Sequence, residues 1–402
     1  MRNTVKLSTL ALLVASLSAC SAGPDYQRPE KVESINLSQP YQQAEQALNW
    51  WQAFDDAELN QLVERALEQN RTLAQARANV DRAYAVFRDA DNDSWPKGTL
   101  ETGYQASENN TLSADDDDVI TRGYSSGANL SWDLDLFGKL RRASEAAEAQ
   151  AQQADILWRD AQVRLISQVA TSYGEYRGAQ LRLEVAEENL ENLQQSRAIV
   201  LARLEVGMAS ELELAQIDVQ LHRVKASVPA YREALSAADA TLSALLALEP
   251  GQLELSADPQ LPELKRPVAV VDGENYLRHR ADVASSERLL AARTANIGVA
   301  TADLYPNLSV RGFLGFLSGP GLTLGSETQS WSVAPSLSWQ AADLGSVKAR
   351  IRQAEASAQM ALAQFEQQVF DAINEMQLSL NSYNLSREQQ LGVLGIFPSK
   401  KT

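Results

Sequence analysis

Apolar residues recur every three or four positions in two stretches of the chain, and each stretch ends at a proline. The first stretch opens near Asp55 and runs out at Trp95-Pro96, and the second begins near Val283 and runs out at Tyr305-Pro306. This spacing is typical of amphipathic helices, and the residue before a proline disfavours helical geometry. We therefore predict one helix that ends just before each proline.

After each proline the apolar period changes from about 3.6 to two, which predicts strands at about 97–107, 121–135, 307–317 and 329–340. One face is apolar with tryptophans toward the strand ends, and the other carries small polar residues; the apolar face holds Leu100, Tyr104, Tyr124, Leu130, Trp132, Leu308, Val310, Leu314, Phe316, Trp331, Val333, Leu337 and Trp339. This pattern is typical of a membrane β-barrel wall, although the strands of a soluble sandwich also alternate. Pro335 interrupts the fourth strand, and proline is disfavoured there except at an edge or a bulge.

A very long helix is predicted for 139–205, which contains no proline and is rich in Ala, Leu, Gln and Glu. At 1.5 Å per residue it spans about 100 Å, which suits a coiled coil or a tube and not a compact domain. Gly207 is suited to the end of this helix and Ser210 to the start of the next one. A returning helix is predicted for 211–248, with an interruption at Pro229.

The chain repeats itself. SWDLDLFG at 131–138 resembles SWQAADLG at 338–345, and Gly345 lies 345 − 138 = 207 residues after Gly138. Pro306 lies 306 − 96 = 210 residues after Pro96, so the repeated unit is a whole helix–strand–strand–helix segment. We assign the first repeat to 55–250 and the second to 276–402, with a proline-rich linker at 251–275.

Composition excludes several classes of function. A formal net charge of −16 argues against nucleic-acid binding, which needs clustered Lys and Arg. With two histidines and one cysteine in the chain, we expect no metal site, no cofactor and no catalytic centre, and His222 and His279 are expected to be ordinary surface or packing residues. Asp115–Asp118 is expected to be a solvated loop tip, and part of the acidic surplus is expected to line a pore and favour cations.

The N-terminus has the form of a secretory signal, with Arg2 and Lys6 before a short apolar run. Leu17-Ser18-Ala19-Cys20 resembles the lipobox of bacterial lipoproteins. The resemblance implies a signal peptide at 1–19, acylation of Cys20 and a lipidated segment at 20–54. Ser21, which follows the cysteine, implies delivery to the outer membrane.

Four strands cannot close a barrel, and an open strand edge cannot face lipid because nothing there satisfies its backbone N–H and C=O groups. Membrane strands from this chain would have to be completed by other copies. The long helices would likewise have to cover their apolar stripes with neighbours. Both requirements favour a ring of identical chains.

At this point the sequence resembles the TolC/OprM-like outer-membrane efflux factors, in their lipoprotein branch. The motifs that carry the resemblance are Gly23-Pro24-Asp25-Tyr26-Gln27-Arg28-Pro29, Trp50-Trp51-Gln52-Ala53-Phe54-Asp55-Asp56, 131–138, and Arg278-His279-Arg280-Ala281-Asp282-Val283. The resemblance implies an α+β membrane protein, a homotrimer whose four strands per chain form a 12-stranded barrel that continues as a periplasmic helical tunnel. It also implies a passive exit duct for drugs or other small solutes, served by a periplasmic adaptor and an inner-membrane efflux transporter.

The resemblance assigns the docking of the adaptor to the helical tip Val206-Gly207-Met208. The equivalent tip of the second repeat would fall near 207 + 207 = 414, beyond Thr402, and the period of the last residues from Leu391 breaks. We therefore expect a member that lacks its final helix. Two alternatives stay open: a non-conducting remnant of such a channel, and a lipid-anchored periplasmic adaptor.

Overall fold

A computed structural model of the chain describes residues 21–29, 49–109, 119–249, 251–256, 260–262, 277, 280–319 and 325–396. Cys20, Asp115–Asp118 and His279 lie outside the described residues. The chain divides into two compact units that cut across the two sequence repeats. Unit 1 comprises Met1–Glu33, Asn79–Ile156 and Leu277–Thr402, and unit 2 comprises Ser34–Ala78 and Leu157–Tyr276.

The described elements follow the duplicated order helix–strand–strand–helix. A 3₁₀ turn (Trp50–Phe54) precedes α1 (Ala57–Gln69), α2 (Arg71–Asn92), β1 (Lys97–Asn109), β2 (Val119–Leu134), α3 (Lys139–Glu205) and α4 (Glu211–Leu245). The second repeat contributes α5 (Ala281–Ala302), β3 (Asn307–Ser318), β4 (Gln329–Ser338) and α6 (Leu344–Ile396).

The prediction of one continuous helix before Pro96 was wrong, because the chain breaks at Asn70. The backbone of Asn70 is extended, with φ −62° and ψ 124°. Its side-chain Oδ1 accepts a hydrogen bond from the Leu73 N–H at 3.0 Å, and its Nδ2 donates to the Leu245 carbonyl at 2.9 Å. A single buried asparagine thus starts α2 and fastens the break to α4, which offsets the lost helical bonds.

The predicted interruption at Pro229 was also wrong, since α4 runs through it without a break. A proline inside a helix removes one N–H donor and costs about 3 kcal/mol. Tertiary packing offsets such a cost, and Val228 beside it is buried. The sequence also predicted that the helical period breaks from Leu391. The structure differs, since α6 continues to Ile396 through Gly392 and Gly395.

The four strands form one antiparallel sheet in the order β1-β2-β3-β4, all within unit 1. Its register pairs Leu100 with Ala128, Ala128 with Leu314, and Leu314 with Trp331. Because directly opposed residues share a face, the apolar residues expected from the sequence stand on one face, which we call the apolar face. Pro335 lies in β4, an edge strand of this sheet, where proline is tolerated.

The opposite face, which we call the polar face, has a close approach at the seam between the two repeats. Gly127 of β2 pairs with Gly315 of β3. A Cβ on Gly315 would lie 2.4 Å from the Ser126 carbonyl oxygen and 2.8 Å from the ring of Phe313. The Phe313 ring therefore lies over the glycine pair, and side chains at these two positions would push β2 and β3 apart.

The repeated tryptophan makes the same contact in both repeats. The Trp132 indole N–H donates to the Ser94 carbonyl at 3.1 Å, just after α2. The Trp339 indole N–H donates to the Leu304 carbonyl at 3.0 Å, just after α5. Ser94 and Leu304 lie 304 − 94 = 210 residues apart, so each indole joins the return strand of its repeat to the end of the preceding helix.

The core of unit 2 is built from large side chains. Leu59, Val63, Val169, Leu242 and Leu246 are each at most 1% exposed. Beside them, the buried Arg177 guanidinium pairs with Glu58 and donates to the Ser256 carbonyl and hydroxyl oxygens, both at 2.8 Å. This network fastens the 251–256 segment to α1 and α3.

Unit 1 packs its helices mainly through small residues. Ala149 of α3 contacts Ala291 and Ala292 of α5, and α5 also packs along α6. The buried side of α6 repeats at helical spacing through Ala358, Ala361, Phe365, Val369, Ala372 and Met376. Among the described helices, none is both long and apolar enough to cross a membrane.

Candidate functional site

The first candidate surface is the apolar face of the sheet. Its side chains are large, contiguous and open, with Leu100 89%, Trp331 72% and Leu337 67% exposed. Soluble proteins rarely leave an apolar patch of this extent uncovered. Its two edge strands, β1 and β4, have no partner strand on their outer sides among the described residues.

Aromatic side chains border this face where the strands meet the helices. Trp95 and Tyr305 stand immediately before the two prolines, and Trp132 and Trp339 lie in or just after the return strands. Phe137 stacks on Tyr305 with ring centroids 4.5 Å apart. Aromatic rings with one polar atom prefer the boundary between lipid and water, so we call this group the aromatic border.

The polar face is lined by small and polar residues, with a few charges. Lys97 and Arg311 stand in one row with Ser131 and Ala334. Lys97 pairs with Asp93, and the Glu101 carboxylate accepts a hydrogen bond of 2.8 Å from Asn129. The described part of this face therefore carries both signs of charge.

The second feature is an N-terminal strap, residues 21–29, that lies on unit 1. The Ala22 N–H donates to the Phe137 carbonyl at 3.0 Å, and the Arg142 guanidinium donates to the Ala22 carbonyl at 3.2 Å and to Asp25 at 2.5 Å. A Cβ on Gly298 would lie only 2.6 Å from the Ala22 carbonyl oxygen. The strap thus fits against α5 because position 298 has no side chain.

The second half of the strap is held by charge. Glu287, which is almost completely buried, accepts a hydrogen bond from the Tyr26 hydroxyl at 3.2 Å and pairs with Arg28 at 3.0 Å. Burial, followed by the nearby Glu287 carboxylate, raises the pKa of Tyr26 to about 12. The strap contacts α3 of the first repeat and α5 of the second, so it bridges the two repeats within unit 1.

The third feature is the helical tip in unit 2. The Met208 N–H donates to the Arg203 carbonyl at 2.8 Å and the Gly207 N–H to the Leu204 carbonyl at 3.0 Å, which is the Schellman arrangement at the end of α3. Gly207 has φ +75°, a conformation that disfavours a side chain. Ser210 then forms a capping box with Glu213 at the start of α4.

The two helix caps fix the backbone of this turn, and its apolar side chains are exposed. Val206 is 68% and Met208 69% exposed, and nothing lies within 4 Å of a Cβ built on Gly207. Two open apolar side chains on a fixed turn can serve as contacts for a partner protein.

Ion pairs join α3 to α4 in the part of the two helices that leads to the tip. Arg197 pairs with Asp218, and Arg232 pairs with Glu187 at 2.7 Å. The hydrogen bond from Arg197 lowers the pKa of the Asp218 carboxyl. Ile199, Leu212 and Val219 stay exposed along this part of the two helices.

Of the predicted site residues, the structure describes Val206, Gly207 and Met208 and brings them together at one turn, whereas Cys20 lies outside the described residues. Within the described ranges, no group of His, Cys, Asp and Glu side chains could hold a metal ion. Sequence reasoning gave no role to Arg142, Glu287 or Gly298. The motif that contains Asp25, Tyr26 and Arg28 was the available signal for the strap.

Comparison with known proteins finds relatives that match almost the whole chain. The chain is 29% identical to the cation efflux system protein CusC of Escherichia coli O157:H7 over 400 residues, which cover 95% of this chain and 85% of that protein. It is 29% identical to the outer membrane protein OprJ of Pseudomonas aeruginosa over 390 residues, which cover 94% of this chain and 81% of OprJ. The structure of the outer-membrane channel OprN superposes with a TM-score of 0.88 at 38% identity, covering 93% of this chain and 85% of that one.

The family model for outer membrane efflux proteins matches residues 62–248 and 274–391, which cover most of both repeats. This match favours an efflux protein over the periplasmic adaptor that the sequence had left open. The chain therefore belongs to the outer membrane efflux protein family.

Proposed function

We propose that three copies of the chain close their sheets into a twelve-stranded outer-membrane barrel and assemble their helices into a periplasmic tunnel. As an outer membrane efflux protein, the chain would then be the passive exit duct of a tripartite pump for drugs or other small solutes. The observation that carries this proposal is the four-stranded sheet, whose apolar face is exposed and whose two edges have no partner strand in the described part of the chain. Lipid cannot satisfy the backbone groups of an open edge, whereas the next copy can.

We further propose that Cys20 carries the lipid anchor and that the strap positions it. Ala22 is bonded to the Phe137 carbonyl, and Phe137 stacks on Tyr305 of the aromatic border. Two residues of extended chain reach at most about 7 Å. Acyl chains on Cys20 would therefore enter the membrane beside the aromatic border. Replacing Cys20 with Ser should abolish palmitate incorporation.

The tip Val206-Gly207-Met208 is proposed to dock a periplasmic adaptor, through which an inner-membrane transporter delivers the cargo. Its support is the rigid double cap and the exposure of Val206 and Met208. Val206→Asp with Met208→Asp should abolish efflux and adaptor pull-down while leaving the oligomer intact. Glu205→Gln, a change in the exposed side chain next to this tip, is the matched control and should change neither measurement.

The assembly can be tested by joining the sheet edges of neighbouring copies. Cysteines at Thr99 of β1 and Ser332 of β4, with Cys20 as the only other cysteine of the chain, should form a disulfide between copies on mild oxidation. A control pair at Asn129 and Ser332 should give no disulfide between copies, since β2 would lie two strands, or about 10 Å, from β4 of the next copy, beyond the reach of a disulfide. A monomeric native mass in mild detergent, with no cross-linked product, would contradict the proposal.

A further inference from the structure

The polar face of the sheet carries a track of three residues on β3: Arg311, Phe313 and Leu317. They alternate along one strand and therefore share the polar face, as their pairing with Ser131, Asn129 and Ser125 of β2 requires. Among the side chains described on that face, Phe313 and Leu317 are the only large apolar ones. We call these three residues the β3 track.

Arg311 is exposed, and within the described part of the chain its guanidinium makes no hydrogen bond or ion pair with another side chain. Its row neighbours, Ser131 and Ala334, are small and neutral. By register the nearest carboxylate on this face is Asp133, whose Cα lies about 8 Å from that of Arg311 according to the spacings of an antiparallel sheet. β3 is an inner strand, so Arg311 does not lie at an edge where copies would meet.

The apolar part of the track begins two residues further along the strand. The Phe313 ring lies over the Gly127–Gly315 pair, and Leu317 is largely exposed. From Arg311 to Leu317 the track spans six residues, or about 20 Å at 3.4 Å per residue. A solute with an acidic head and an apolar body matches this order of one cation followed by two apolar side chains.

We propose that the β3 track is a weak binding path for anionic amphipathic solutes, with Arg311 receiving the acidic head and Phe313 and Leu317 contacting the apolar body. The proposal rests on the proposed function, because the polar face must line a water-filled pore. Three copies would place three such tracks around one lumen. Arg311 is then a residue that determines specificity and gives this part of the duct a preference for anions, although the net charge of the chain is −16.

The effect of the Arg311 charge can be measured through the reactivity of a cysteine at position 334. Ala334 lies beside Arg311 and two strands away from Asp133. The full chain with Ala334→Cys, in lipid nanodiscs at low salt, is labelled with a negatively charged and a positively charged methanethiosulfonate reagent. We expect the ratio of anionic to cationic labelling rates to fall about fivefold on adding Arg311→Gln, as Coulomb's law gives for a unit charge about 8 Å away in water. Arg311→Lys should keep the ratio, and Arg122→Gln, which removes the same charge from the apolar face, should not change it.

The apolar part is tested by protection of the same cysteine. Taurodeoxycholate, an anionic amphipath, should slow labelling at Ala334→Cys, and dodecyltrimethylammonium, a cationic one, should not. Phe313→Ser should weaken this protection without changing the charge ratio, and Phe316→Ser on the opposite face should leave it intact.

The outcomes separate this inference from the proposed function. Labelling by both reagents with a ratio that does not depend on Arg311 would overturn the inference and leave the pore in place. No labelling by either reagent would mean that the polar face is not water-filled and would overturn the proposed function as well. If Arg311→Gln fails to assemble, the Ala334→Cys parent still decides the matter. In 1 M salt, where the screening length is about 3 Å, the ratio of anionic to cationic labelling rates in this parent must fall. An unchanged ratio contradicts the inference.

Discussion

Unit 1 and unit 2 differ in the kind of side chain that packs the interior of each. In unit 2, large residues such as Leu59, Tyr173 and Leu242 fill a core, and the buried Arg177 is satisfied by several partners. In unit 1, the close contacts occur where side chains are missing: the strap meets Gly298, and β2 meets β3 at Gly127 and Gly315. The difference teaches that unit 2 is sensitive to the removal of atoms and unit 1 to their addition.

The largest expected effect comes from a truncation in unit 2. Leu242 is fully buried, and Leu242→Ala should destabilise the chain by about 3 kcal/mol, because a cavity remains where the side chain packed. The loss should appear as a lower thermal unfolding midpoint, followed by circular dichroism at 222 nm. The adjacent exposed residue provides the control, since Thr241→Ala should leave the midpoint nearly unchanged. Equal effects of the two substitutions would mean that this core does not limit the stability of unit 2.

A smaller effect is expected from adding one methyl group in unit 1. Gly298→Ala places a Cβ 2.6 Å from the Ala22 carbonyl oxygen, so the strap must shift, at a cost of about 2 kcal/mol. Hydrogen exchange should show loss of protection at the Ala22 amide. Gly345→Ala is the matched control, because that glycine lies in α6 with nothing within 4 Å of its Cβ position. Retained protection at Ala22 in Gly298→Ala would show that the strap adapts to the added methyl.

The sequence predicted those parts of the fold that depend on period and on chain terminators. The alternation of apolar and polar residues predicted the two faces of the sheet, and the change of period after Pro96 and Pro306 located its strands. The repeated tryptophan identified the duplication. The structure explains that repetition by a hydrogen bond that Trp132 and Trp339 each make to the end of a helix.

Other parts of the fold depend on contacts that no local pattern contains. Asn70 breaks a helix because its amide reaches the Leu245 carbonyl, 175 residues away in the chain. Pro229 fails to break a helix because tertiary packing overrides local preference. For the candidate site, the turn at Gly207 was predictable from its residue types, whereas the strap required pairs such as Arg142 with Asp25, which only the fold brings together.

The smallest expected effect lies in the ion pairs that join α3 to α4 in unit 2, outside the core that Leu242 belongs to. The hydrogen bond from Arg197 lowers the pKa of the Asp218 carboxyl, and the positive charge of Arg197 acts in the same direction. A carboxyl whose pKa is lower in the folded state stabilises the fold above its unfolded pKa of about 3.9. This stability is lost as the pH falls through the folded pKa, so the contribution of the Asp218 carboxylate itself should stay constant between pH 7 and about pH 5.

The measurement compares hydrogen-exchange protection of the helical amides near Arg197 in the wild type and in Asp218→Asn, at the same pH each time so that intrinsic exchange rates cancel. The wild type should be better protected at pH 7 and at pH 5, and the difference between the two proteins should shrink as the pH falls below about 4 and Asp218 becomes protonated. Glu205→Gln serves as the control, because this nearby carboxyl is exposed at the end of α3 and should leave the comparison unchanged. A difference that does not shrink at all between pH 5 and pH 2 would show that Asp218 acts through its shape and not its charge. The contrast between the packed core of unit 2 and the part of α3 and α4 that is joined by ion pairs would then have to be withdrawn.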